Sequence, residues 1–265
     1  PASSLWIWLS MRILIPLPST DFDPTESSIP WKLLSEAGHE VLFATPNGEP
    51  GEADPRMVLG TGLGPWRGIL QARSDARTAY EAMRGSATFR QPLTYKELNS
   101  ELRVDGLILA GGHAPGMKIY LESAELQRYV GDYFETDKPL GAVCHGNIVM
   151  ARSRKRGTDR SILYGRRVTA LPAMMEMSAW VMTCLWLGRY YRTYSETVES
   201  EVKRALGPEG QFESGPPAIH RDSAEHPERG YTVRDRHLLT ARWPGDIYRF
   251  TYEFMDMLNG ASPKA

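Results

Sequence analysis

Short apolar runs alternate with amphipathic stretches along most of this chain. Residues 12–17 (RILIPL) form an apolar run of the length and branching expected for a buried strand. A loop rich in Pro, Ser and Asp follows. Residues 29–37 then show helical spacing, with Pro30 tolerated in a first turn and Gly38 as the C-terminal stop. Residues 40–44 (EVLFA) read as a second strand. Strand, helix and strand in that order, joined by short loops, predict a right-handed crossover in a parallel sheet.

Residues 45–91 break this rhythm as a long, less regular insertion in which only 75–84 reads as a helix. Gly60, Gly62 and Gly64 lie there in a turn-rich loop that follows no strand, and Pro65 bars a helix start, so a G-x-G-x-x-G dinucleotide site is excluded. Alternation resumes with a strand at 106–110, a helix at 122–134, a strand at 139–143, a helix at 145–153 and a strand at 166–171. Helices follow at 176–191 and 197–206, a hairpin at 231–234 and 238–241, and an amphipathic helix at 245–258. Trp180, Trp186 and the clustered Met residues are assigned to the core. The order predicts an α/β fold, a doubly wound and mostly parallel sheet sandwiched by helices, in a single domain over residues 11–260. Residues 1–10 (PASSLWIWLS) have no basic region and too short an apolar core for a secretory leader, so they read as an extension outside the fold.

Composition narrows the function classes. A chain of 265 residues with 42% hydrophobic residues can bury a sizeable core. A net charge of −1 offers no field to recruit nucleic acid or an anionic membrane. The most apolar internal segment, 174–187, is too short to span a bilayer and carries Glu176. Cys144 and Cys184, the two cysteines, cannot build a disulfide framework, which makes a reducing, cytoplasmic setting the expectation. His220 and His226 with Glu225 and Glu228 lack ligand spacing, and neither a metal nor a cofactor is expected.

The chemistry concentrates at residues 140–151 (LGAVCHGNIVMA), where an apolar run ends at Cys144 and a helix-compatible segment begins. A thiol at a sharp strand-to-helix turn points out of the sheet, and the unpaired N–H groups of the helix favour its thiolate. His145 follows as base or cation, to take the thiol proton and return it to the product. Gly111 and Gly112 end the preceding sheet strand, where glycines let backbone amides approach a reacting oxygen as an oxyanion hole requires. Glu26, ahead of the first helix, is the first-turn carboxylate. His113 is a pocket candidate, whereas Cys184 sits among apolar helix residues as a small hydrophobe.

Three segments together resemble the DJ-1/PfpI superfamily, which has a flavodoxin-like, class-I glutamine-amidotransferase-like fold: 26–30 (ESSIP), 105–116 (DGLILAGGHAPG) and 142–146 (AVCHG). The resemblance covers most of residues 11–259 and implies Cys144 as nucleophile, a protonated Glu26 hydrogen-bonded to it, His145 as the histidine of the PfpI and Hsp31 branches, and Gly112 with the His145 amide as oxyanion hole. Segments 190–194 (YYRTY) and 241–246 (ARWPGD) resemble a microbial subgroup. The acid that the Hsp31 branch places on the histidine is replaced here by Ala173, leaving Glu176 as the nearby candidate acid. No His-x-Glu of true amidotransferases is present, which disfavours glutamine hydrolysis. The resemblance implies a cofactor-independent lyase or hydrolase acting on a small molecule. A glyoxalase III-like conversion of an α-oxoaldehyde to a hydroxy acid leads, with isonitrile hydration or small-amide hydrolysis as alternatives. A non-catalytic redox-sensing chaperone is the competing class, and a homodimer is the expected assembly.

Overall fold

The computed structural model describes residues 10–260, so the expected N-terminal extension falls, apart from Ser10, outside the described residues. Seven strands make the central sheet: β1 (Arg12–Pro16), β2 (Glu40–Thr45), β3 (Leu93–Thr94), β4 (Gly106–Leu109), β5 (Leu140–Val143), β6 (Thr232–Asp235) and β7 (Leu238–Ala241). Their order across the sheet is β6-β7-β5-β4-β1-β2-β3. Every neighbouring pair is parallel except β6 with β7, which form the expected antiparallel hairpin. The central strands are apolar throughout because both faces are covered: Ile13, Leu14, Ile15, Leu107, Ile108 and Leu109 have no exposed surface.

The longer helices are α1 (Pro24–Glu36), α2 (Ser74–Gly85), α3 (Ala124–Phe134), α4 (Gly146–Arg152), α5 (Ala173–Leu187), α6 (Val198–Leu206) and α7 (Ile247–Leu258). Helices α1, α2 and α7 pack together, as do α3, α4 and α6. Phe250 and Phe254 of α7 press on the sheet where Gly141 and Gly106 leave room for their rings. The doubly wound architecture is thus present, and the insertion is docked on it. Ser28 of α1 donates to the Ala76 carbonyl of α2 at 3.0 Å, and the Ala53 amide donates to the Tyr80 hydroxyl at 2.9 Å.

Three expectations change. Helix α1 starts five residues before residue 29, because Asp23 caps it, accepting from the Thr25 and Glu26 amides at 2.7 and 3.1 Å, with Pro24 at the first helical position. Glu26 therefore lies inside the helix, not ahead of it. The predicted strand at 166–171 shrinks to Arg167–Val168, which pairs with Gln211–Phe212 outside the central sheet. Side chains tie it to the edge hairpin in place of a ladder to the central sheet: Arg167 N–H donates to Asp235 and Thr169 N–H to the Thr240 hydroxyl, both at 2.9 Å. Helix α5 is not core. Met174 is 81% and Leu185 91% exposed, Trp186 is also exposed, and only Glu176 and Thr183 are buried. A helix apolar on all sides has no pattern to say which face is covered.

The connection from β5 to α4 is the tightest crossing in the sheet. A Cβ at Gly146 would lie 2.1 Å from the Leu109 carbonyl oxygen and 3.0 Å from that of Ala110, both backbone atoms that cannot step aside. Gly146→Ala is expected to lower stability by about 2–3 kcal/mol in urea unfolding. An unchanged midpoint would show that this approach does not constrain the fold.

Candidate active site

Strand β5 runs apolar to Val143 and α4 begins at Gly146, leaving two residues to reverse the chain. Cys144 makes the turn with φ +53°, a left-handed conformation that a non-glycine residue holds at a cost of about 1–2 kcal/mol. The surroundings enforce it. The Cys144 amide donates to the Ala241 carbonyl of β7 at 3.2 Å, and the Asn147 side chain donates to the carbonyls of Cys144 and Ala241 at 3.1 and 3.3 Å. Asn147 carries no sequence signal for this role, since the partner strand is almost a hundred positions away.

The imidazole of His145 lies against the thiol, with Sγ 3.4 Å from Nδ1. Its other nitrogen, Nε2, is 3.3 Å from the hydroxyl of Thr193. That hydroxyl's single proton is already donated to the His113 carbonyl at 2.8 Å. Thr193 can therefore only accept from Nε2–H, which leaves Nδ1 as a free lone pair aimed at the thiol. Burial, followed by the charges of His113, Arg152 and Arg192, pushes His145 far below its ordinary value, so the ring is neutral. Glu176, the candidate acid, is elsewhere engaged: its Oε2 accepts the Val198 amide at 2.9 Å and caps α6. A hydroxyl, not a carboxylate, orients this histidine. Thr193 was legible only as part of the YYRTY segment; nothing in its spacing ties it to His145.

Glu26 is fully buried, and its Oε2 accepts the Gly111 amide at 2.7 Å. Its Oε1 makes no well-aligned hydrogen bond, although the carboxyl lies beside the Cys144 thiol and interacts with it. Burial and the neighbouring Asp23 push Glu26 well above the carboxylate range, so it is held protonated. Asp23 itself is pushed up to about 6 by burial. Cys144 is only 4% exposed, and burial, then the acidic neighbours Glu26 and Asp23, push its thiol up. The expected low-pKa thiolate is thereby corrected. The His145 amide acts in the predicted direction, but desolvation of a sulfur anion outweighs it.

The two glycines separate. Gly111 has its amide committed to Glu26, and a Cβ there would meet Glu26 Oε2 at 2.7 Å and the His145 nitrogen at 2.8 Å. The Gly112 amide donates to no hydrogen bond among the described residues. His113 is packed on Tyr191 with ring centroids 4.1 Å apart and is pushed down to about 4 by burial, hence neutral. Cys144, His113 and Asp23 line a cavity of about 680 Å³, walled largely by apolar residues such as Met57, Leu171, Met175 and Met182. Helix α5, exposed on its outer side, forms one of these walls. Cys184 lies on the same helix away from this cavity, half-buried, with its thiol 3.5 Å from the Val181 carbonyl. Among the described residues no His, Cys, Asp or Glu cluster has the makings of a metal site, and no helix is long and apolar enough to cross a membrane.

Comparison with known proteins finds matches in sequence and in fold. The family model described as ThiJ/PfpI family-like matches residues 17–216. An uncharacterized protein of Schizosaccharomyces pombe is 28% identical over 143 residues, 54% of this chain and 51% of that protein, so the chain spans about half its length. A deglycase of Pyrococcus abyssi is 25% identical over 167 residues, 63% of this chain and 75% of that protein. The crystal structure of glyoxalase III from Candida albicans superposes with a TM-score of 0.65 at 14% identity, covering 93% of this chain and 97% of that one.

Two measurements probe the site without a substrate. Because the left-handed turn favours glycine, Cys144→Gly is expected to be more stable than Cys144→Ala by about 1 kcal/mol in urea unfolding. Equal stabilities would mean the turn is unstrained. Alkylation of Cys144 by iodoacetamide is expected to rise with pH through a midpoint above that of a free thiol. Asp23→Asn should move that midpoint down by removing a charge that opposes ionisation. A midpoint below the free-thiol value would contradict the dominance of burial.

Proposed function

Since the chain belongs to the ThiJ/PfpI family and aims a histidine lone pair at a thiol, we propose that it is a cofactor-independent enzyme with Cys144 as nucleophile. The reaction is a glyoxalase III-like conversion of an α-oxoaldehyde to a 2-hydroxy acid. The observation carrying this reading is the chain Cys144 Sγ, His145 Nδ1, His145 Nε2, Thr193 Oγ1, at 3.4 and 3.3 Å, which prepares a neutral thiol to lose its proton as it attacks. The deglycase and glyoxalase III relatives support the substrate class.

The thiol adds to the aldehyde carbon; an S–C bond forms and the carbonyl electrons move to oxygen. His145 Nδ1 takes the thiol proton and passes it to that oxygen, giving a hemithioacetal. The Gly112 and His145 amides stabilise the oxygen while it is charged. His145 then removes the C–H of the former aldehyde carbon as a proton; the electron pair left behind forms an enediol with the adjacent carbonyl, whose oxygen takes up a proton. Return of the proton from His145 to the adjacent carbon, with loss of the proton on the hemithioacetal oxygen, restores a carbonyl on the sulfur-bearing carbon. One carbon is oxidised and the other reduced within the same molecule, yielding a 2-hydroxy thioester. Water cleaves the thioester, releases the hydroxy acid and restores the thiol. Protonated Glu26 donates to the sulfur or oxygen anion as each forms.

A buried neutral thiol oxidises less readily than an exposed thiolate, which weighs against the redox-sensing chaperone. Glutamine hydrolysis also fits poorly, because the imidazole on the thiol is the adjacent residue, not one delivered from a distant His-x-Glu.

Lactate formation from methylglyoxal is the direct assay. Cys144→Ser and Glu26→Gln should abolish it. Thr193→Val should lower kcat roughly tenfold or more with KM little changed, because His145 loses the partner that fixes its tautomer. Persistence of activity in Cys144→Ser would end this reading.

A further inference from the structure

Two arginines line the cavity that contains Cys144, and they differ in how they are satisfied. Arg242 is buried and neutralised: its guanidinium grips Asp246 through two hydrogen bonds of 2.8 Å and also donates to the Pro216 carbonyl. Arg221 has no such counter-ion. It donates to the Ile69 carbonyl at 3.1 Å and stacks over the Trp243 indole at 5.1 Å, and no carboxylate lies within ion-pair distance among the described residues. The carboxylates that line the cavity are each held by backbone amides, Asp23 by those of Thr25 and Glu26 and Glu176 by that of Val198. Arg221 thus brings a cation, held flat by an aromatic ring, into an otherwise mostly apolar chamber. It is close enough to the Cys144 end of the cavity to feel the charge of Asp23.

A planar guanidinium with free N–H groups beside apolar walls is suited to a carboxylate on a hydrocarbon body. A cavity of about 680 Å³ is also far roomier than a three-carbon aldehyde requires. We propose that Arg221 is a specificity-determining residue that receives the carboxylate of the substrate, whose class is an α-oxoaldehyde bearing a carboxylate at the far end of an apolar chain. The proposal rests on the reading of Cys144 as nucleophile. Its mechanism adds no chemical step; Arg221 binds, and the apolar wall of α5 and Trp243 covers the chain.

The probe pair is 4,5-dioxopentanoate and its neutral methyl ester. The parent protein should show a KM for the acid about tenfold or more below that for the ester. Arg221→Gln should erase this preference by raising KM for the acid, with kcat within about twofold and the ester unaffected. Arg221→Lys should keep part of it, the charge remaining while the planar fork is lost. Equal effects on acid and ester, or none, would overturn the proposal and assign Arg221 to holding Ile69 and Trp243. Calorimetry with hexanoate, using hexanamide as the neutral control, reads recognition without turnover. Hexanoate binding that is lost in Arg221→Gln in a protein without aldehyde turnover would sustain the anion site while removing the enzymatic reading. Turnover without discrimination would do the reverse.

Discussion

The close approach of the β5–α4 connection to the end of β4 is the constraint on which the site depends. The glycine at 146 lets the new helix begin against the Leu109 and Ala110 carbonyls, and Cys144 makes the turn just before it in a left-handed conformation. The same tightness puts the Cys144 sulfur, the His145 ring and the glycine pair that ends β4 around one point. The Cys144 amide donates to the Ala241 carbonyl of β7, and the Asn147 side chain donates to the carbonyls of both residues, which ties the strained turn to β7. The strain is local, while the forces that maintain it come from three parallel strands. That distribution is typical of a reactive group held by a rigid frame.

Burial then decides the electrostatics. Cys144, His145, Glu26 and Asp23 are all sequestered from water, and for each the neutral form gains relative to the charged one. The outcome is a site at rest with few charges and with protons in defined places: on the thiol, on Glu26, and on His145 Nε2 by virtue of the Thr193 hydroxyl. This differs from a preformed thiolate, and burial shields the thiol from adventitious oxidants.

Around this centre the cavity is unexpectedly apolar, and the helix that walls it is hydrophobic on every side. A solvent-exposed Leu185 adds nothing to the core, whereas Met175, Ala179 and Met182 of the same helix supply part of the inner surface of the chamber. Arg221, which has no carboxylate within ion-pair distance among the described residues, breaks that apolar surface at one point.

The sequence by itself determined the α/β alternation, the hairpin at 231–241 and the placement of Cys144 at a strand-to-helix turn. These depend on local periodicity and on turn chemistry, which act over a few residues. It also brought Glu26 and Gly111 to the same sheet end, because ligand-bearing loops follow the carboxyl ends of parallel strands. The cap on α1 was written there too, in Asp23-Pro24, but Pro30 is an equally valid helix start and outweighed it. The tertiary structure alone decided the protonation of the site, the choice of Thr193 over Glu176 as partner of His145, the assignment of the Gly111 amide to Glu26, and the exposure of α5. Desolvation and long-range hydrogen bonds set these, and both depend on which segments meet in space, a relation that residue spacing along one chain does not encode.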